Sequence, residues 1–567
     1  DYYIYCFTML RYIFTTRLVR QLVQVRLNHF DAPHLAKCDA NYAQLTPLST
    51  FHRAAKLFPT KPAYVSMDST KTWGEMHTRV NSLASALTKA GVQRGDVVSI
   101  MGANSGAMFE AHFAVPGINA VLHSINIRLD ATTVAFQLNH SEAKVVILDT
   151  EFNDIMQEAV AIARQNPEYK IPKFIFIKDS SEPVMDKPHI TEVNYETFVK
   201  SGDAGFELPP VQDEWDAISL NYTSGTTGNP KGVVCTHRGA YLNSISNIVE
   251  WNMEKFSKML MIVPMFHCNG WNFPWTLANL AGCAYFMRHV QAVTIFDLIS
   301  RYQIKYMCGA PITMLTMLSH AQRFKFAHEV QMLTGGAPPP PSLMRRFTEE
   351  TGVSIRTSYG LTESYGPATF HLPDPQWEAL NLSEDEKLAR CTVQAQTVME
   401  DRVHVLDPAT MAEVPADSST LGEVMIRGNI MMKGYFKNAA ATEQAFAQGW
   451  FHTGDLAVSH GNGRFEIKDR SKDIIISGGE NISSIQVETI LITHPAVLEV
   501  AVVAMADEKW GEVPCAFVVC DPQGPQTSEA ELIAWARTKM PHFQAPKKVM
   551  FDELPKTATG KVQKNLL

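Results

Sequence analysis

At 567 residues the chain is too long for a single core and spans roughly four domain-sized units. Hydrophobic residues make up 46%, charged residues 19% and aromatic residues 10%, which excludes disorder, collagen and coiled coil as descriptions of the whole. Its 50 basic and 58 acidic residues give a charge of −8, which argues against a nucleic-acid binder working by bulk phosphate attraction. Nine cysteines scattered from Cys6 to Cys520, with no C-x-x-C pair, speak against a disulfide framework or zinc site and for a reducing compartment. No apolar run reaches the ~18 residues that a membrane span needs. The expectation is a soluble multidomain protein that acts on, or binds, something small.

The first elements stand apart from the rest. Between Tyr2 and Phe30 there is no acid, while Arg11, Arg17, Arg20 and Arg26 punctuate an apolar background. Such a segment reads as an organellar transit sequence or as a stretch outside the protein proper. Residues 1–41 are therefore set aside as an extension, and folding is expected to begin near Tyr42. Leu83, Ala86, Leu87 and Ala90 have helical spacing, with Gly91 as the stop. Val97–Met101 reads as a buried strand, Met108–Ala114 as a helix, Lys144–Asp149 as a strand, Asp154–Arg164 as a helix and Phe174–Ile177 as a strand. Strands alternating with helices imply βαβ units around a parallel sheet. Ser180–His189 and Pro209–Glu214 are connectors, and the alternation then continues to about Lys468. The tail differs. Ile485, Glu488 and Ile492 lie on one helix, Val500–Met505 and Ala516–Val519 are strands, and Ser528-x-x-Glu531 is a capping box opening Leu532–Lys539. A boundary falls in the charged stretch Asp469–Lys472.

Chemistry concentrates in a few segments. In Tyr222-Thr-Ser-Gly-Thr-Thr-Gly-Asn-Pro-Lys-Gly232, small and hydroxyl residues follow the strand Ala217–Leu220, so backbone N–H groups can converge on an anion. Lys231 adds a point charge for phosphate. The segment is not a Walker A loop, because Gly232 stands where Ser or Thr would bind magnesium. Ser358-Tyr-Gly-Leu-Thr-Glu363 offers an aromatic face, a hydroxyl and a carboxylate. Trp450-Phe-His-Thr-Gly-Asp455 lets an Asp approach sugar hydroxyls. Lys468-Asp-Arg-Ser-Lys-Asp473 precedes Ile474-Ile-Ile-Ser-Gly-Gly-Glu-Asn481, and Leu554-Pro-Lys-Thr-Ala-Thr-Gly-Lys561 places a lysine on a turn near the end.

In this order, from about Tyr42 to Leu567, these segments resemble the adenylate-forming superfamily of acyl-CoA synthetases, firefly luciferases and peptide-synthetase adenylation domains. The phrases His123–Asp130, Pro264–Trp271, Gly335–Pro340 and Lys468–Ser484 resemble those of plant-type acyl-activating enzymes. That group includes short-chain fatty acid and benzoate CoA ligases, often peroxisomal. The resemblance implies an α/β fold: a large domain, 42–470, of doubly wound sheets plus a sub-barrel, and a small mobile α+β domain, 471–567. It implies ATP, Mg2+ and coenzyme A as reactants alongside a carboxylic acid, in a monomer or homodimer. The loop Ser224, Gly225, Thr226, Thr227, Gly228 and Lys231 would hold the β- and γ-phosphates. Tyr359 would stack on adenine beside Gly336 and Ala337, Thr362 would contact the α-phosphate, and Glu363 would bind the metal. Asp455 would accept from the ribose hydroxyls with help from Arg470. Lys561 would bridge carboxylate and α-phosphate, and His267 would line the acyl tunnel or pack in the core. His237 is given no role.

The implied reaction has two steps. Carboxylate attack on the α-phosphate gives acyl-adenylate and pyrophosphate. The small domain then turns about Lys472, withdraws Lys561 and presents Gly478 and Gly479, and the thiol of CoA takes the acyl group. Alternatives are another acceptor (luciferase-like oxidation or a carrier-protein thiol) and an inactive nucleotide-binding relative. Cys391-Thr392 stands where such enzymes carry Gln-Gly, which puts that loop's position in question. Gly360 stands where strict acetate users of the superfamily carry Trp, leaving room for a longer acid unless Trp271 restricts it, so a short- to medium-chain fatty acid or an aromatic acid is the implied substrate. The expected compartment is the peroxisome, with mitochondrion and cytoplasm as alternatives, and the sequence stops at Asn565–Leu567, short of the tail where such enzymes carry a Ser-Lys-Leu type address.

Overall fold

The computed structural model describes residues 30, 32–66, 69–178, 190–191, 193–223, 230–372, 380, 382–478, 480–522, 524–557 and 561–567. The expectations for Tyr2–His29, for Ser180–His189, and for Ser224, Gly225, Thr226, Thr227, Gly228 and Gly479 lie outside them. Two compact units are present, 1–44 and 45–567. In the first, the described residues hold a short 3-10 turn, Pro33–Leu35. The second begins three residues later than the expected Tyr42. Its opening helix, Pro47–Leu57, is set by Thr46 as N-cap and by a proline in the first turn.

The alternating pattern yields a seven-stranded sheet in the order Gly434–Tyr435, Gly232–Thr236, Ala217–Tyr222, Val121–Ile125, Val97–Met101, Val145–Asp149 and Lys173–Ile177. The last five run parallel. Three of them are buried at every position, as strands covered on both faces must be. The helix Trp73–Lys89 opens on a Thr72/Glu75 capping box, and the chain turns away at Gly91, whose φ of 91° suits glycine. Phe51, Trp73, Phe109 and Phe113 pack there in one cluster, each fully buried, and each such side chain contributes about 1.5–3 kcal/mol.

A second, thirteen-stranded sheet changes character along its width. Gln331–Thr334 pairs in parallel with Ser354–Leu361, whose outer half pairs antiparallel with Gly366–Phe370. The part expected as a sub-barrel is the antiparallel arm of this sheet, continuous with its parallel half. Tyr359 therefore sits just past the carboxyl end of the parallel half, where open α/β sheets bind ligands. The last sheet is separate: Glu480–Ile482, Ile475–Ser477, Gly511–Cys520 and Val497–Asp507, with Lys548–Phe551 added on Gly511–Cys520. The Ser528/Glu531 capping box is present and opens the helix Glu529–Lys539. Among the described residues, no helix is long and apolar enough to cross a membrane.

Candidate active site

The segment rich in glycine and hydroxyl residues lies between two antiparallel strands, Ala217–Tyr222 and Gly232–Thr236. Thr223 N–H donates to Lys231 O at 3.0 Å and closes the base of the loop. Lys231 is exposed, with its ammonium 4.8 Å over the ring of Tyr435. Tyr435 is not singled out by sequence, yet it joins two expected site residues. Its hydroxyl donates to Glu363 Oε1 at 2.8 Å, and Met432 N–H donates to Glu363 O at 2.7 Å. Burial pushes the Glu363 carboxyl up, while the Tyr435 bond opposes that shift. The available signal is Lys433-Gly434-Tyr435 following an apolar run, which by itself specifies only a short strand.

On the opposite wall, Asp455 and Arg470 are direct cross-strand partners, and Arg470 Nε lies 3.1 Å from Asp455 Oδ1. The Tyr359 hydroxyl donates to Asp455 Oδ2 at 2.7 Å, and burial followed by the Asp455 charge pushes its acidity far down. Gly454, at φ 70°, takes the left-handed conformation that turns this strand, and its N–H donates to Glu423 Oε1 at 2.8 Å. Gly336 and Ala337 are exposed on the loop after Gln331–Thr334. A Cβ on the preceding Gly335 would meet Ser358 O at 2.9 Å and Trp271 at 3.3 Å, so this loop lies against the Tyr359 strand and Trp271.

His267 precedes an unusual turn. Cys268, Asn269, Gly270, Trp271 and Asn272 all have φ between 45° and 65°, a left-handed run that normally occurs one residue at a time. Buried asparagines hold it: Asn247 donates to Trp271 O at 3.0 Å, and Asn221 donates to Asn269 Oδ1 at 3.0 Å. The turn sets Cys268 Sγ 3.5 Å from Thr362 Oγ1 and 3.9 Å from His267 Nε2. Burial, then the nearby Lys561 charge, lower the His267 pKa to about 4, so its imidazole is neutral at pH 7.

Lys561 reaches this cleft from the far end of the chain. Lys561 is exposed as a residue, while burial around its ammonium, followed by repulsion from Arg470, lowers its pKa to about 8. Asp455 and Asp473 oppose that shift. Contacts thus join Tyr359, Asp455 and Arg470 on one side and His267, Cys268 and Thr362 on the other, and Lys561 lies within electrostatic reach of Asp455, Arg470 and His267. Lys472 is exposed on the turn after Arg470, within electrostatic reach of Lys561. Gly478 instead packs on Trp510 in the last sheet, its N–H donating to Trp510 O at 2.8 Å. His237 is buried, its Nδ1 2.9 Å from Thr46 Oγ1, a structural position.

Two sequence concerns resolve differently. Cys391-Thr392 needs no glycine, because neither residue has a positive φ, and Thr357 Oγ1 donates to Cys391 O to hold the loop. Gly360 does not open the pocket by lacking a side chain: a Cβ there would fall 1.9 Å from Gly366 O. That position therefore takes no side chain unless the hairpin shifts.

The AMP-binding enzyme model matches residues 51–436, and the AMP-binding enzyme C-terminal domain model matches residues 486–561. The chain belongs to the AMP-binding enzyme family. It is 44% identical over 550 residues to an acetate–CoA ligase of Humulus lupulus, covering 95% of this chain and 96% of that one. It is 42% identical over 549 residues to a peroxisomal acetate/butyrate–CoA ligase of Arabidopsis thaliana, with the same coverage. Among solved structures it resembles the o-succinylbenzoate coenzyme A synthetase of Bacillus subtilis in complex with ATP and magnesium ion. That match has a TM-score of 0.75 and 25% identity, and covers 91% of this chain and 98% of the other.

Proposed function

We propose that the protein is an ATP-dependent carboxylic acid–CoA ligase that forms acyl-CoA, AMP and pyrophosphate through an acyl-adenylate. The observation that carries this reading is Asp455 held by the Tyr359 hydroxyl at 2.7 Å and by Arg470 at 3.1 Å just past the carboxyl end of the parallel strands, with Lys561 within electrostatic reach of it. Asp455, fixed on one side by Arg470 and on the other by Tyr359, receives the ribose hydroxyls. Tyr359 offers its ring to adenine beside Gly336 and Ala337. Thr362 donates to the α-phosphate. Lys231 and the loop before it take the outer phosphates, and Lys561 neutralises charge that builds between carboxylate and α-phosphate. Such preorganised charge is usually the largest catalytic contribution.

The residues present fit a magnesium ion, which binds through one or two carboxylates together with phosphate oxygens and water. Glu363 supplies the carboxylate, and the ion would screen the triphosphate charge. The acid lies beside His267 and Trp271. The neutral His267 imidazole packs and orients the acid without drawing charge from it. A short- or medium-chain acid is favoured over a long one, because Trp271 is wedged near Gly335 and Gly366 and both similar plant ligases are named for acetate or butyrate. We place the enzyme in the peroxisome, on the likeness to the Arabidopsis ligase.

Carboxylate-dependent pyrophosphate release, measured with and without CoA over acids from acetate to decanoate plus benzoate, tests this reading. Release is expected with acids of two to about six carbons, with AMP and acyl-CoA appearing together when CoA is added. Failure of every acid to stimulate release would refute the ligase reading, and release without thioester would indicate another acceptor.

A further inference from the structure

Lys561 is tied to the described residues beside it by local bonds. Thr557 N–H donates to Lys561 O at 2.7 Å, Lys561 N–H to Thr557 Oγ1 at 3.1 Å, and Gln563 N–H to Pro555 O at 2.8 Å. These bonds close the segment locally, and Leu554 and Val562 pack it against Ala501, Cys515 and Phe517 of the last sheet. Two lysines that bracket Lys561 add ion pairs to that packing. Lys556 pairs with Glu499 of Val497–Asp507. Lys564, its side chain 16% exposed, lies 2.7 Å from Glu488 Oε1 and 2.5 Å from Ser484 Oγ, both on the helix Ser484–Leu491. Glu488 is itself held by Val502 N–H at 2.7 Å.

The Lys564 contact extends further than its partner does. Ser484 Oγ, accepting from Lys564, donates to Asp469 Oδ2 at 2.6 Å, and the Ser484 N–H donates to the same oxygen at 2.6 Å. Asp469 is 1% exposed and precedes Arg470, which pairs with Asp455. A chain of charge-assisted bonds thus runs from the Lys561 turn, across the Lys472 hinge, to the carboxylate that faces the ribose. Lys564 lies three positions after Lys561, a reach of at most about 10 Å, so moving one displaces the other.

We infer that Lys564 is the positioning residue that seats the Lys561 turn for adenylate formation, acting through Glu488, Ser484 and Asp469. It touches no reacting atom. This inference rests on the ligase reading and on the role given to Lys561. It predicts an asymmetric defect, since Lys561 serves the first half-reaction and leaves the site for the second. A lysine that merely staples the chain end would weaken both halves alike.

The test uses butyrate as probe and compares the full-length chain with K564Q and K564R. The first half is read as butyrate-dependent ATP–pyrophosphate exchange, the second as CoA-dependent release of AMP from synthetic butyryl-adenylate. K564Q is expected to lower exchange by about 100-fold while adenylate consumption stays within about twofold, and K564R to recover most of the exchange. Unchanged exchange in K564Q, or equal losses in the two halves, overturns the inference. Exchange by the unaltered chain separately tests the ligase reading beneath it.

Discussion

Lys561 would pass for an ordinary lysine near a chain end if sequence position were all that counted. Its surroundings give it a different chemistry, because protein around the ammonium and the Arg470 charge lower its pKa to about 8. A lowered lysine pKa means the cation is present below that value and lost above it, rather than near the ordinary 10.4. The step that needs the cation therefore weakens as pH rises through about 8. We expect kcat/KM for acid-dependent pyrophosphate exchange, measured from pH 6 to 10, to fall on the alkaline side with a midpoint near 8, because that ratio reports the free enzyme. K561R should lower the rate but remove the limb, since guanidinium stays charged throughout. His267, already neutral above about pH 4, should add no second limb near 6.5. A profile flat to pH 10 in the unaltered protein would count against the assigned role of Lys561.

At the scale of elements, the antiparallel hairpin Ser354–Leu361/Gly366–Phe370 carries Tyr359 on one arm and holds Thr362 and Glu363 in its turn. Gly360 is where its two arms come closest, because a Cβ would lie 1.9 Å from Gly366 O and 3.1 Å from Ala368 N. G360A must therefore spread the hairpin, and overpacking of this kind costs roughly 1–3 kcal/mol or more. The expected result is a lower melting temperature together with weaker nucleotide binding, both of which calorimetry reads. A G360A protein that melts and binds ATP as the parent does would show that the hairpin yields. Sequence makes much of this layer legible: the helix stop at Gly91, the Ser528 cap and the parallel strands follow from spacing and residue type. The long hairpin Val497–Asp507/Gly511–Cys520 reads from sequence as shorter strands because its ends carry Glu499, Asp507 and Glu512, which break the apolar run. The left-handed turn Cys268–Asn272 is invisible there, because Cys268 and Trp271 have no bias toward that conformation and asparagines far along the chain hold them in it. Tyr435 escapes notice for a related reason. Its chemistry comes from register, in a two-residue strand that sets it against Glu363 and Lys231.

Over the whole molecule, one arrangement cannot serve both half-reactions. On the role proposed for it, Lys561 occupies the place where the thiol of CoA must later reach the adenylate, and Gly478 packs on Trp510 beside the last sheet. The segment that joins the two parts is short: Arg470 is bound to Asp455, Ser471 N–H donates to Gly454 O at 3.0 Å, and the last sheet begins at Ile475. A rotation must be absorbed by one or two residues there, and Lys472, exposed on the turn, is the candidate hinge. Proline at that position fixes φ near −65° and so resists the rotation. K472P should keep butyrate-dependent pyrophosphate exchange within about fivefold of the parent and lower CoA-dependent consumption of butyryl-adenylate by about 100-fold or more, a gating defect and not a chemical one. This is the mirror image of the defect expected from K564Q, and measuring both variants by both half-reactions separates the seat of Lys561 from the hinge that removes it. If K472P consumed the adenylate at the parental rate, the thiol would have to enter with Lys561 in place, and the large rotation would lose its purpose.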